Sequence, residues 1–366
     1  MTFTGIFVPG LNRATYLANP QCRVETFFMT PELRIAGPKV DFLPLCYADI
    51  LGRLRRSPPQ AALFSVTPPD ASGWCSFGTV VDFLAEIWAE IPVRIAHVNP
   101  LMPRTRGHKG IPWSALTAVI EDGGFEPLCA PDTVDDISTA IARHVAPIVE
   151  DGATIETGLG RVPGALMHAL RDHRRLRIHS GLIGEGVVDL LEAGALAEGA
   201  AVTGGVAIGS PRLYAAVAGP AFNFLPVSCT HAARVIGEIP RFTAVNSALE
   251  VDLFGQAYSE LTPKGWLSGP GGASDFARGR RLSQGGVSIV ALPALAGQAS
   301  RIVAPGEAKG PISLGRFDID VVVTEHGAAD LRGLDHDARA EALTAIAAPM
   351  HRDRLARDWS AFSRRL

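Results

Sequence analysis

Four short runs of β-branched and apolar residues, each cut off by a turn-forming cluster, set the strongest limit on how this chain can fold. Ala62-Leu63-Phe64-Ser65-Val66 stops at Thr67-Pro68-Pro69-Asp70, and Val93-Arg94-Ile95-Ala96-His97-Val98 stops at Asn99-Pro100. Val287-Ser288-Ile289-Val290-Ala291-Leu292 stops at Pro293, and Ile319-Asp320-Val321-Val322-Val323 at Thr324-Glu325-His326-Gly327. Near-continuous apolar runs of this length read as strands buried on both faces of largely parallel sheets. Helices are expected between them, at 134–145, 164–170, 187–193 and 338–347, the first stopped by the following Pro147. The expected class is α/β, with mainly parallel sheets flanked by helices.

With 366 residues, 47% hydrophobic and 19% charged, the chain has ample core, and its length favours two domains. A charged break at Asp172-His173-Arg174-Arg175 separates two strand–loop–helix units, so the expected domains are 1–173 and 174–366. The same run also reads as a solvated helix end. No solenoid-type repeat is visible. A net charge of −3 offers no general attraction to nucleic acid or anionic membrane, and no apolar stretch reaches the length of a bilayer span. Met1 to Gly10 carry no basic, apolar leader. Cys22, Cys46, Cys75, Cys129 and Cys229 are odd in number and scattered, which reads as reduced thiols and neither a disulfide framework nor a zinc site. A cytoplasmic protein without a metal is the expectation.

Three glycine-bearing segments carry the chemistry. Ile178-His179-Ser180-Gly181-Leu182-Ile183-Gly184-Glu185-Gly186-Val187 is an apolar strand-like lead, a turn of small and polar residues and a helix start. Ala153-Thr154-Ile155-Glu156-Thr157-Gly158-Leu159-Gly160-Arg161 repeats that plan, with Gly158 and Gly160 letting backbone N–H groups approach an anionic ligand, or else forming a tight turn. Its spacing is not the dinucleotide fingerprint, which excludes a nicotinamide enzyme. Ser268-Gly269-Pro270-Gly271-Gly272-Ala273-Ser274-Asp275-Phe276 is denser still, and suits backbone bent closely around a substrate. An ordinary glycine-rich loop is the alternative.

Together these segments resemble the acetyl-CoA hydrolase/transferase family of CoA-transferases. Gly269 to Phe276 matches its Gly-x-Gly-Gly-x-x-Asp-Phe motif, and 66–73, 98–107, 245–256 and 324–333 extend the likeness in order along the chain. The resemblance implies two CoA-transferase-type α/β domains around an active-site cleft, with coenzyme A and an acyl-CoA thioester as ligands. It implies that the Gly272 N–H faces the thioester oxygen, where a fixed donor stabilises the tetrahedral transition state. A strand–helix unit that opens the family's first domain has no counterpart before Gly5.

Two positions depart from the family's pattern. A glutamate whose carboxylate carries the acyl group is expected where this chain has Gly181, and an asparagine, the second oxyanion donor, where it has His231. A glycine cannot perform covalent catalysis. An imidazole can donate like the amide or take a proton from water; a structural histidine is the other reading. Two acids could stand in for the missing carboxylate. Glu185 also reads as a helix N-terminal acid, and Glu156 as a loop acid paired with Arg161. The loop Arg104-Thr105-Arg106-Gly107-His108-Lys109 could meet CoA phosphates or be a solvated surface, and the same choice applies to Arg278, Arg280 and Arg281.

The resulting expectation is a CoA-thioester enzyme of acetate metabolism that favours water as acceptor. The alternatives are transfer to a small carboxylate through a relocated or partner-supplied carboxylate, and a non-catalytic acyl-CoA-binding homologue. A homo-oligomer or a partner subunit is expected to be possible.

Overall fold

The computed structural model describes residues 1–7, 12–127 and 134–365. The apolar runs do become strands. Two of them, Ala61–Val66 (β1) and Val93–Val98 (β2), form a parallel sheet with Ala118–Ile120 (β3), in chain order. The larger sheet has eight strands. In chain order these are Thr154–Thr157 (β4), Arg177–Ile183 (β5), Val202–Ala207 (β6), Phe222–Phe224 (β7), Phe242–Ser247 (β8), Val287–Ala291 (β9), Val321–Thr324 (β10) and Gly327–Asp330 (β11). Their spatial order is β7-β6-β5-β4-β8-β9-β10-β11, parallel throughout except for the last pair. All four residues of β4 and of β10 are buried, as a strand covered on both faces requires.

Helices cover both faces. Asp136–Val145 (α2), Arg161–Ala169 (α3) and Gly186–Glu192 (α4) lay Ile141, Leu166 and Val187 against Ile155, Ile178, Val245 and Ile289. α2 starts where Asp135 and Ser138 cap each other reciprocally, a device that satisfies two orphan N–H groups. The opposite face carries Phe242 and Ala244, packed with Ile236 and with Phe276 of Ala273–Arg280 (α7). Val66, Ala96 and Val98 of the smaller sheet belong to the same core as the larger one.

Two expectations change here. The division at residue 173 falls between β4 and β5, which are hydrogen-bonded neighbours in one sheet. β4 therefore belongs with the C-terminal strands, and the charged run 172–175 is a surface connection between them. Gly181 was expected in a turn, but β5 runs on through Ile183, so Gly181 is a strand residue and the turn begins at Gly184. Helix ends shift by up to three residues from expectation, as fraying ends do.

Candidate active site

The chemistry-bearing residues collect toward the C-terminal ends of β4, β5 and β8, on the face covered by α7. Ligands of open α/β sheets commonly sit at strand C-termini. The register places Glu156 opposite Ala244, and Ile155 opposite Ile178, so Glu156 and His179 lie side by side on that face. Gly181 follows two residues beyond His179, on the same side of the pleat.

His231 fills the space over Gly181. A Cβ built on Gly181 would stand 2.6 Å from both Cε1 and Nε2 of the imidazole, and one on Gly272 would stand 2.7 Å from Cδ2 and Nε2. Only glycine on both sides lets the ring lie where it does. Tyr47, first residue of Tyr47–Arg56 (α1), stacks on the imidazole with centroids 4.2 Å apart and planes 16° apart. Phe276 meets it at 4.7 Å and 45°. His231 is 2% exposed, at the C-terminal end of the short helix Val227–Thr230 (α6).

This burial dictates its protonation. Loss of solvent, reinforced by the neighbouring His179, lowers the His231 pKa to about 3. The ring is neutral across the physiological range. Its Nδ1 is 2.9 Å from the Thr230 hydroxyl. His179 donates from Nε2 to the Thr230 carbonyl oxygen at 2.9 Å, so the first of the two histidines anchors the peptide that presents the second.

The glycine-rich motif has divided duties. Gly269 lies so close to the chain at Phe27 that a Cβ would stand 2.0 Å from the Phe27 carbonyl oxygen. Gly271 has φ of +64°, which an L side chain resists, and makes an isolated bridge with Cys46. Asp275 accepts from the backbone N–H of Tyr47 at 2.9 Å and of Ala48 at 3.4 Å, so it holds the start of α1. The Asp-Phe pair thus clamps α1 and its Tyr47 against His231. Nothing in the local sequence pattern signals that contact across 228 residues of chain.

Both candidate acids have partners within the fold. Glu185 accepts from the Ser210 backbone N–H at 2.9 Å and pairs with Arg212 at 3.5 Å, holding the start of Pro211–Ala216 (α5). It holds Ser210, the N-cap residue of α5, one helix further along the chain than the helix it precedes. Glu156 is a strand residue, 3% exposed, and accepts from Asn246 Nδ2 at 2.9 Å. The expected pairing with Arg161 is overturned: Arg161 binds Asp135 at 2.9 Å. Burial pushes the Glu156 carboxyl up to about 8, against the opposing hydrogen bond from Asn246 and one from the Val245 backbone, so it is mostly protonated at neutral pH. Gly158 and Gly160 border open space, with nothing within 4 Å of a Cβ on either; Gly160, at φ +124°, begins α3.

The raised Glu156 pKa has a measurable consequence. Its stabilising contribution is complete below the unfolded value near 4.5 and is lost as pH climbs through about 8. Glu156→Gln is expected to unfold at a higher temperature than the parent at pH 9, by an amount on the order of 4 kcal/mol in stability, and to converge with it toward pH 5. Thermal unfolding from pH 5 to 9 checks this; parallel curves would show that the carboxyl ionises without penalty.

Several of the basic residues have partners within the fold. Arg104 binds the carbonyl oxygens of Pro68 and Trp74 and the Asp70 carboxylate, and the backbone of Arg106 accepts from Phe224. Arg280 pairs with Asp320 in a largely buried ion pair, and Arg281 with Asp318 at 3.6 Å. Cys22, Cys46, Cys75 and Cys229 are free thiols; Cys129 lies outside the described residues. No described helix is long and apolar enough to cross a membrane.

Comparison with known proteins agrees with this architecture. The pattern of the acetyl-CoA hydrolase/transferase C-terminal domain matches residues 209–359. The chain is 34% identical over 330 residues to the 4-hydroxybutyrate coenzyme A transferase of Clostridium kluyveri, covering 87% of this chain and 76% of that protein. The crystal structure of 4-hydroxybutyrate CoA-transferase from Porphyromonas gingivalis superposes with a TM-score of 0.78 at 32% identity, over 96% of this chain and 89% of that one. RipA from Yersinia pestis superposes with a TM-score of 0.88 at 27% identity, over 95% of this chain and 83% of that one. Similar proteins include CoA-transferases and acetyl-CoA hydrolases alike.

Proposed function

Because the chain belongs to the acetyl-CoA hydrolase/transferase family, we propose that it cleaves acyl-CoA thioesters with water as the acceptor. The observation that carries this reading is the His231 ring standing in the space that a side chain at residue 181 would need. The resemblance expects the acyl-carrying carboxylate at that residue. With the space filled by imidazole, and with Glu185 and Glu156 tied to other partners, the covalent relay of a transferase has no carboxylate among the expected acids.

The site retains the means to stabilise an oxyanion. The Gly272 N–H is one donor. Thr230 Oγ1 is 2.9 Å from His231 Nδ1 but 3.4 Å from the Pro226 carbonyl oxygen, so its proton is better placed on the imidazole. That arrangement leaves the proton of the neutral ring on Nε2, the atom that faces both Gly181 and Gly272. An imidazole with a pKa of about 3 is a poor acceptor for a proton from water, which favours donation over base catalysis for this residue. Acyl-group preference depends on the shape of the cleft.

The test is incubation with a panel of short acyl-CoAs, with and without acetate, following free thiol and new thioester separately. Thiol release independent of acetate is the expected result, and borohydride after acyl-CoA should not inactivate the protein. Acetate-dependent thioester exchange, with borohydride inactivation mapping to a carboxylate, would restore the transferase reading. Binding without turnover would identify an acyl-CoA-binding homologue.

A further inference from the structure

A hydrolytic site needs a base, and His231 is too weak a one. Asp82 is a carboxyl that neither the family motifs nor the acids considered above bring forward. It lies in the segment Thr79 to Asp82, which is stitched to the end of β6: the Val81 N–H donates to the Gly205 carbonyl oxygen at 2.9 Å, and the Ala207 N–H to the Thr79 carbonyl oxygen at 2.8 Å. Gly205 lies beside Gly181 on the neighbouring strand, bracketed by the pairs Ser180–Gly204 and Leu182–Val206. A Cβ on Gly205 would stand 3.5 Å from Asp82 Oδ1 and 3.1 Å from the Gly181 carbonyl oxygen. So the imidazole lies over Gly181 while the carboxyl lies over Gly205, the next position across the sheet. Tyr47 links them. Its ring stacks on His231, and its phenol is held protonated by burial and then by the nearby charges of Asp82 and Asp275.

Asp82 is held at a cost that packing alone does not explain. Its φ of +32° is one of three positive values for non-glycine residues among the described residues. It is 6% exposed, and Oδ1 is buried with no hydrogen-bond partner among the described residues. A strained residue with an unspent lone pair, beside a candidate site, is the arrangement expected when function maintains the strain.

We propose that Asp82 is the general base of this site, taking a proton from the water that attacks the thioester carbonyl. This rests on the hydrolytic reading above. As the water oxygen bonds to the carbonyl carbon, its proton passes to Asp82 Oδ1, and the oxyanion that forms is held by the Gly272 N–H and His231 Nε2–H. Collapse breaks the C–S bond. The proton returns to the departing thiolate, giving free acid and CoA thiol. Burial pushes the Asp82 pKa up to about 7; the titratable groups around it are the Tyr47 phenol and, beyond that ring, His231 and Asp275. A base with this pKa is half ionised at neutral pH and is well matched to proton transfer there.

The experiment is the pH dependence of acyl-CoA hydrolysis by the parent, Asp82→Asn and Asp82→Ser, with thermal unfolding run alongside. In the parent, kcat/KM is expected to rise with pH through about 7, as the base ionises. In folded Asp82→Asn it should fall by roughly 10²-fold and lose that rise, since the amide cannot accept the proton. Formate should partly restore Asp82→Ser, by supplying a carboxylate in the vacated space. A flat parent profile from pH 5 to 9, or an Asp82→Asn enzyme with near-normal turnover and the parental profile, would overturn the role of Asp82 while leaving hydrolysis intact. Absence of acetate-independent hydrolysis in the parent would overturn the hydrolytic reading itself, and the base role with it.

Discussion

Gly181→Glu alone is expected to give a protein that transfers no acyl groups and unfolds at a lower temperature than the parent. The motifs suggest the opposite, since supplying the expected carboxylate to an otherwise matching cleft should create a transferase. Steric fact decides against it. The new Cβ would stand 2.6 Å from two atoms of the His231 ring, and that ring is gripped between Tyr47 and Phe276. Overpacking of this kind costs roughly 1–3 kcal/mol where neighbours can shift, and more where they are held as these are.

The paired substitution is the informative one. Asparagine at residue 231 is the residue the resemblance expects there, and it is smaller than histidine. Gly181→Glu combined with His231→Asn should therefore regain stability relative to the single variant and acquire acyl exchange between CoA and acetate. Its glutamyl thioester should be trapped by borohydride. Non-additivity is expected because the two residues touch. Thermal unfolding of both variants, with the exchange assay and peptide mapping after borohydride, reads the result. A single variant that transfers acyl groups would show the imidazole to be readily displaced; a folded but inert double variant would show that the cleft has diverged beyond this pair.

Much of the fold was legible because it is written in short stretches. The runs 62–66 and 93–98 are strands nearly to the residue, since a strand buried on both faces needs only a local apolar sequence and a turn-forming stop. What escaped notice depends on contacts between distant parts of the chain. Glu156 sits near Arg161 in sequence, but the pleat turns it inward to Asn246, 90 residues away. Glu185 precedes α4 yet binds the N-cap residue of α5, Ser210, because the β6–α5 connection returns beside it. Residue 173 reads as a boundary in charge and length, whereas sheet pairing carries the core across it.

The site shows the same division. Gly181, Gly272 and His231 could each be singled out by motif, but their mutual contact could not. That two glycines flank one imidazole is a property of β5, the α7 start and the α6 end meeting in space. Asp82 carried no signal at all, lying in Thr79-Val80-Val81-Asp82 with no motif to mark it. Its backbone strain and unpaired oxygen exist only in the folded chain.

His231→Ala is expected to lower acyl-CoA turnover by roughly 10²-fold, the scale for loss of one oxyanion donor. It removes a ring packed against Tyr47 and Phe276, so a stability loss of roughly 3 kcal/mol should accompany it. His231→Asn separates donation from bulk and from basicity. An amide there keeps a donor facing Gly272 but cannot accept a proton from water. If the neutral imidazole acts by donation, the asparagine variant should retain most of the turnover that alanine loses, and its pH profile should match the parent's between pH 5 and 8. The parent profile itself should carry no ionisation assignable to His231 in that range, since burial has moved its pKa to about 3. Loss of turnover in both folded variants would instead make the ring the base and Asp82 a bystander. Near-normal turnover in a folded His231→Ala protein would leave the imidazole as packing between two aromatic rings.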